Sequence, residues 1–179
     1  MMIAMARWLR RFRDDRRGVS AVEFALIAPI MILFYFGMAE ICQGFMAKKR
    51  AEHVASAIAD LVAQTDDVTT AELNDIYSAS AQIMRPFPTG TLKQRITSVT
   101  KNTSGVSKVD WGSNNGWTSR ATGSTVTVPA NLIGNGESVI MAEVEYVYSS
   151  PFDYVMPSSM TFRKTYYLRP RLSDQVTKS

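Results

Sequence analysis

Two carboxylates stand where carboxylates are costly. Glu23 lies near the start of a long apolar run and Glu40 near its end, and no side chain between Phe24 and Ala39 is charged. An ionised acid at the edge of a membrane-length apolar segment is expensive unless it is paired or hydrated. Just ahead of Glu23 the chain reads Arg16-Arg17-Gly18-Val19. An opposite charge close to the Glu23 carboxylate, from its own chain or a neighbour's, would offset the acid's burial. In a bundle of packed helices the same pairing could fix axial register. The plainer account of Glu23 is an acid near a helix N-terminus, favoured by the macrodipole. Glu40 is placed to be hydrated at the outer interface or to pack between helices.

The remaining reactive side chains form no recognisable apparatus. Glu143 and Glu145 are the only close acidic pair in the C-terminal half, two residues apart on an expected strand. They share one face, which alternation assigns to a solvated sheet surface. With one Cys and one His in the chain, a disulfide framework and a thiolate zinc site are both excluded. Cys42 is expected to be buried or lipid-facing, and His53 to sit on a solvated helix face. Asp110, Asn114 and Asn115 lack the spacing of a calcium loop and fit turn chemistry. There is no Gly-x-Ser-x-Gly, phosphate loop or His-Glu-x-x-His, so no cofactor, no metal and no enzymatic activity are expected.

The elements that must position these residues follow from charge and periodicity. The 179 residues suit an anchor plus one domain of roughly 100 residues. Residues 1–18 carry six Arg against two Asp, which equals the whole chain's formal charge of +4. The remainder is near neutral, which argues against a nucleic-acid partner. From Val19 to Met46 the run is about as long as the ~20 residues a bilayer requires. Arg-rich residues 1–18 predict a cytoplasmic N-terminus, and Lys48-Lys49-Arg50 weakens that asymmetry without reversing it. A cleaved secretory signal peptide would have a shorter run and a loop-like continuation.

Beyond the run, Ala47, Ala51, Val54, Ala55, Ile58, Leu61 and Val62 recur at helical spacing. One helix is therefore expected from Val19 to about Ala63, with Pro29 able to kink it. Its outer half must pack against something outside the membrane. Thr69-Thr70-Ala71-Glu72 offers a capping box for a second helix faced by Leu73, Ile76, Tyr77, Ile83 and Met84. Arg85-Pro86 to Gly90 ends it. Strands are then expected at 106–111 and 117–121, flanking a hairpin turn at Gly112–Gly116, and at 125–128, 138–148 and 161–168. The expected fold class is α+β: a long transmembrane helix continuing outside the membrane, a short second helix, and a small, mostly antiparallel, pilin-like sheet domain. The divisions are 1–18 (basic cytoplasmic leader), 19–46 (transmembrane helix), 47–90 (extramembrane helical segment) and 91–179 (β-rich periplasmic domain).

Gly18-Val-Ser-Ala-Val-Glu23-Phe24-Ala-Leu-Ile-Ala-Pro29, followed by Gly37-Met-Ala-Glu40, resembles the TadE/TadG-like minor pseudopilins of the tight-adherence (Flp) type IV pilus system. The likeness covers about residues 16–50, and the chain's size fits TadE-like or TadF-like members better than TadG-like ones. It implies a prepilin peptidase that cuts between Gly18 and Val19. Arg16, Arg17, Glu23 and Phe24 would serve recognition and subunit packing, and Pro29, Gly37 and Glu40 helix packing. The implied partners are the peptidase, other pilins and pseudopilins, an inner-membrane assembly platform driven by a cytoplasmic ATPase, a secretin, and the lipid bilayer. The implied place is the bacterial inner membrane, single pass, C-terminus periplasmic. The implied role is pilus assembly supporting surface adhesion and biofilm. The alternative is an uncleaved, signal-anchored periplasmic binding domain.

Overall fold

The computed structural model describes residues 18–151, 155 and 157–179. Its frame is the expected long helix, α1, Val19–Ala63. At about 1.5 Å per residue, its 45 residues reach roughly 68 Å. The two halves of α1 have different surroundings. From Val19 to Tyr35 the large apolar side chains all point away from the rest of the chain. This stretch lies in the one described helix long and apolar enough to cross a membrane.

Further along, Gly37, Glu40, Gly44, Ala47, Ala51, Val54 and Ile58 are buried. Their alternating steps of three and four keep one face toward a partner surface. Small residues dominate the first part of this stripe, so the partner backbone can come close. Leu61, expected on the stripe, is exposed. The buried arc turns toward Ala59 and Ala63 in the last two turns and leaves Leu61 outside it.

After α1 come a two-residue strand β1, Asp67–Val68, and the second helix α2, Thr70–Ala81. The Thr69 side chain accepts from the Glu72 backbone N–H at 3.2 Å, and Glu72 accepts from Thr69 N–H at 2.8 Å, closing the expected capping box. Leu73 and Tyr77 are buried beneath α2, with Met84 on a following 3-10 turn.

Four strands build the sheet that α1 covers: β2 Leu92–Lys101, β3 Ser107–Asn115, β4 Ser138–Ser149 and β5 Ser159–Leu168. Their order is β3-β2-β4-β5, all neighbours antiparallel. Ile96, Ile140, Ala142, Val144, Tyr146 and Tyr148 face α1 and form the main core with its stripe. On the opposite face, Val99, Val109, Val139 and Met141 meet Val126 and Ile133 in a second, smaller core. A short last strand β6, Thr177–Lys178, pairs in parallel with β1 and ties the chain's end to the far end of α1.

Three strand expectations are corrected. Residues 107–115 form one continuous strand, with no hairpin turn at Gly112–Gly116. The turn lies earlier, where Asn102 Oδ1 accepts from Val106 N–H at 2.8 Å and Gly105 takes a positive φ. Residues 117–121 and 125–128 are not strands. They belong to the connection from β3 to β4, which runs over the outer face, and Thr125 makes only an isolated bridge to Lys108. Gly112 is needed for close approach: a Cβ there would lie 2.8 Å from the Arg120 carbonyl.

The helix–sheet seam predicts a sharp contrast between neighbours on α1. Ile58→Ala should cost ~2–5 kcal/mol, because Ile58 is fully buried in the seam. Leu61→Ala should stay within about 0.5 kcal/mol. Urea unfolding of the full chain in micelles, followed by the near-ultraviolet signal of buried Trp111, measures both.

Candidate functional site

The residues expected at the processing end lie where a partner could reach them. Gly18 precedes α1 as its N-cap with no side-chain cap bond. Val19, Glu23 and Phe24 are exposed on the first turns, and Pro29 lies within the helix, also exposed. Arg16 and Arg17 lie outside the described residues. Gly18, Val19, Glu23 and Phe24 form a continuous surface about one and a half turns long. Cys42 is exposed on α1 two residues past Glu40, and His53 is exposed on the outer half.

Glu40 and Gly37 sit elsewhere, at the point where the domain takes hold of α1. Glu40 is fully buried. Its Oε2 accepts the Val155 backbone N–H at 2.9 Å, and its Oε1 accepts the Ser150 hydroxyl. One turn earlier, a Cβ on Gly37 would lie 2.8 Å from Val155 Cγ2. Glu40 thus joins the membrane helix to the β4–β5 connection of its own chain, a contact between distant segments that sequence spacing does not reveal. Charge-assisted acceptance of this kind makes burial of a carboxylate tolerable.

The acidic pair on β4 is also not the solvated surface expected. Glu143 and Glu145 are nearly buried. Arg95 and Arg120 hold Glu143, with Arg95 Nε to Oε2 at 2.8 Å and Arg120 Nη2 to Oε1 at 2.9 Å. Lys93 lies 2.8 Å from Glu145, which Arg163 also holds. Arg95 stacks over Trp117 at 4.4 Å and donates to the Thr118 carbonyl at 3.0 Å. Glu143 therefore fastens the β3–β4 connection to the sheet, and Glu145 ties β2 to β5 across β4. Burial pushes the Glu143 carboxyl up, but Arg120 and Arg95 outweigh it and hold it below the usual range. Lys93 and Arg163 hold Glu145 low in the same way. Cross-strand register alone carried the missed signal, since Lys93 and Arg95 lie opposite Glu145 and Glu143.

A second ionic contact pins the sheet to α1. Glu52 bonds Lys164 at 2.6 Å and Lys49 at 2.9 Å. These two ammonium groups bring its carboxyl down to about 2. Among the described residues, no group of three or more His, Cys, Asp or Glu is placed to hold a metal.

Comparison with known families bears on α1. Residues 18–60 match the family model described as TadE-like protein. The long helix is TadE-like. The match takes in the exposed apolar half, the Gly37–Glu40 contact and most of the docked half. The TadE-like family is a structural, pilus-associated one, and the likeness to it covers α1 and not the sheet domain. No curated protein and no solved structure matches the chain.

Two outcomes test these contacts. Glu40→Leu removes the acceptor for the Val155 N–H; loss of a hydrogen bond to a charged group is worth about 1.5–3 kcal/mol. Hydrogen exchange at the Val155 amide should accelerate roughly 10–100-fold, and Glu40→Gln should recover part of the protection. The carboxylates predict acid sensitivity. Groups whose folded pKa is depressed stabilise the fold above their unfolded value, and that stability is lost as pH falls through the folded value. The Glu52 contribution should therefore fade between 4.5 and about 2. The urea midpoint should drop across that window, and Glu52→Gln should flatten the drop.

Proposed function

We propose that this chain is a minor pseudopilin, cut after Gly18 by a prepilin peptidase and built into a tight-adherence (Flp) pilus or its base. The observation that supports this reading best is the division of the TadE-like helix. Its first half presents exposed apolar side chains, and its second half buries one face against its own domain. A helix of that kind holds a subunit in the bilayer and offers other membrane helices a surface, while the domain stays outside. Lipid gives helices no hydrophobic reason to associate, so packing and charge pairing carry the membrane step. Gly18 and Val19 form the processing site, with Arg16, Arg17, Glu23 and Phe24 read by the peptidase or by neighbouring subunits. Pro29, Gly37 and Glu40 shape α1 for packing, the last two through contacts to the domain. The domain faces the periplasm, the N-terminus the cytoplasm, and the membrane is the bacterial inner membrane. Other pseudopilins, the assembly platform and the secretin are the partners, and surface adhesion is the outcome.

The test is the mature N-terminus, by intact mass and peptide mapping, in cells with and without the prepilin peptidase. A start at Val19 that requires the peptidase is expected. A retained 18-residue leader would reduce the protein to a signal-anchored domain. Glu23→Ala should leave cleavage largely intact and impair incorporation into pili. Normal incorporation would sink the pairing of Glu23 with an α-ammonium.

A further inference from the structure

Lys48-Lys49-Arg50 is an oddity of the sequence, because cations just outside a membrane span oppose the charge asymmetry that orients it. The structure shows that these three are not isolated. The Arg50 guanidinium donates to the Ile83 carbonyl at 2.8 Å, which brings Arg85, exposed just beyond the 3-10 turn, to the same height on the domain. Lys164 bonds Glu52 at 2.6 Å, which fixes the height of β5 against α1. Arg163 is its neighbour, and Lys93 lies across Glu145 from Arg163. Seven cations thus share one level of the domain with two carboxylates, Glu52 and Glu145.

That level can be measured from Glu40. From Val19 to Glu40 the helix rises about 32 Å, close to the ~30 Å of a bilayer's hydrocarbon core. Glu40 therefore sits at the boundary, and Lys48 to Glu52 lie about 12–18 Å beyond it. The strand ruler agrees: from Val144, the partner of Lys164, to Ser150 at Glu40 is about 20 Å. The headgroup layer is roughly 5–8 Å thick. The level thus lies within reach of long basic side chains and about one Debye length, ~8 Å, of the phosphates. Toward the opposite end of the domain, the helices carry the other sign. Residues 51–84 contain no Lys or Arg, and Asp66, Asp67, Glu72 and Asp75 are exposed there.

We propose that this level is a basic belt that seats the domain on an anionic lipid surface. Phosphate headgroups pair with Lys48, Lys49, Arg85, Lys93 and Arg163, while the acidic end is repelled and held away. The inference rests on the membrane-spanning reading of α1.

The experiment is lysine acylation footprinting of the full chain in vesicles of phosphatidylcholine, with or without about 30% phosphatidylglycerol. A surface potential near −30 mV falls to about a third of that one Debye length out and there concentrates protons about 1.5-fold, so Lys49 and Lys93 should label at least about 1.5-fold more slowly on anionic vesicles. High salt should restore them. Lys108 and Lys178, at the far end, should not respond. Equal slowing at all four lysines, or none, overturns the belt. So does protection that ignores lipid charge and rises with protein density, which would assign the basic surface to the acidic end of a second copy. Alkaline carbonate is applied to the same vesicles. Release of the chain overturns the spanning reading, and the belt with it; retention with unchanged labelling overturns the belt alone.

Discussion

One continuous helix has two unlike halves, and the rest of the fold is arranged around where the first gives way to the second. Up to Tyr35, the large apolar side chains of α1 are exposed among the described residues. From Gly37 on it must bury one face and wet the others. A helix cannot make that change gradually, because its backbone is rigid and its side chains radiate every 100°. The change is made in two turns by Gly37, Glu40 and Gly44. Gly37 makes room for the Val155 side chain, and the acid gives the Val155 backbone N–H something to bond. Without the Glu40 contact, the membrane half and the sheet would be joined only through the seam further out.

That seam explains the shape of the domain. A four-stranded sheet with one helix across one face would leave its other face open. The β3–β4 connection closes it, with a small apolar core at one end and the paired carboxylates of β4 at the other. Ion pairs replace a hydrophobic layer there.

The sequence was most legible where one side of an element dominates. The extent of α1, the Thr69–Glu72 cap and strand β4 were readable because apolar runs, capping residues and alternation all report on local geometry. Residues 112–121 were misread for a stated reason. Asn115-Gly116 carries a hairpin signal, but β3 is pinned by pairing along its whole length to β2, and tertiary pairing outranked the local turn preference. Gly112 looked like a turn residue and is a point of close approach. Glu143 and Glu145 looked solvated because alternation shows which face a side chain is on, not what lies over it. Glu40 could be singled out as costly, but its partners come from 110 and 115 residues away. No local pattern encodes that.

The way the chain's end is fastened bears on mechanics. Thr177–Lys178 pairs with β1, and Arg171 N–H bonds the Ala63 carbonyl at 2.8 Å. The sheet is thereby gripped at both ends of the docked half of α1, at Glu40 near the membrane and at Ala63 beyond. A pull along the helix axis loads the seam in shear, so that every step from Gly37 to Ala63 shares the force at once. A pull across the axis would peel the seam open one contact at a time. The fold is built to bear tension lengthwise, along the direction in which α1 points.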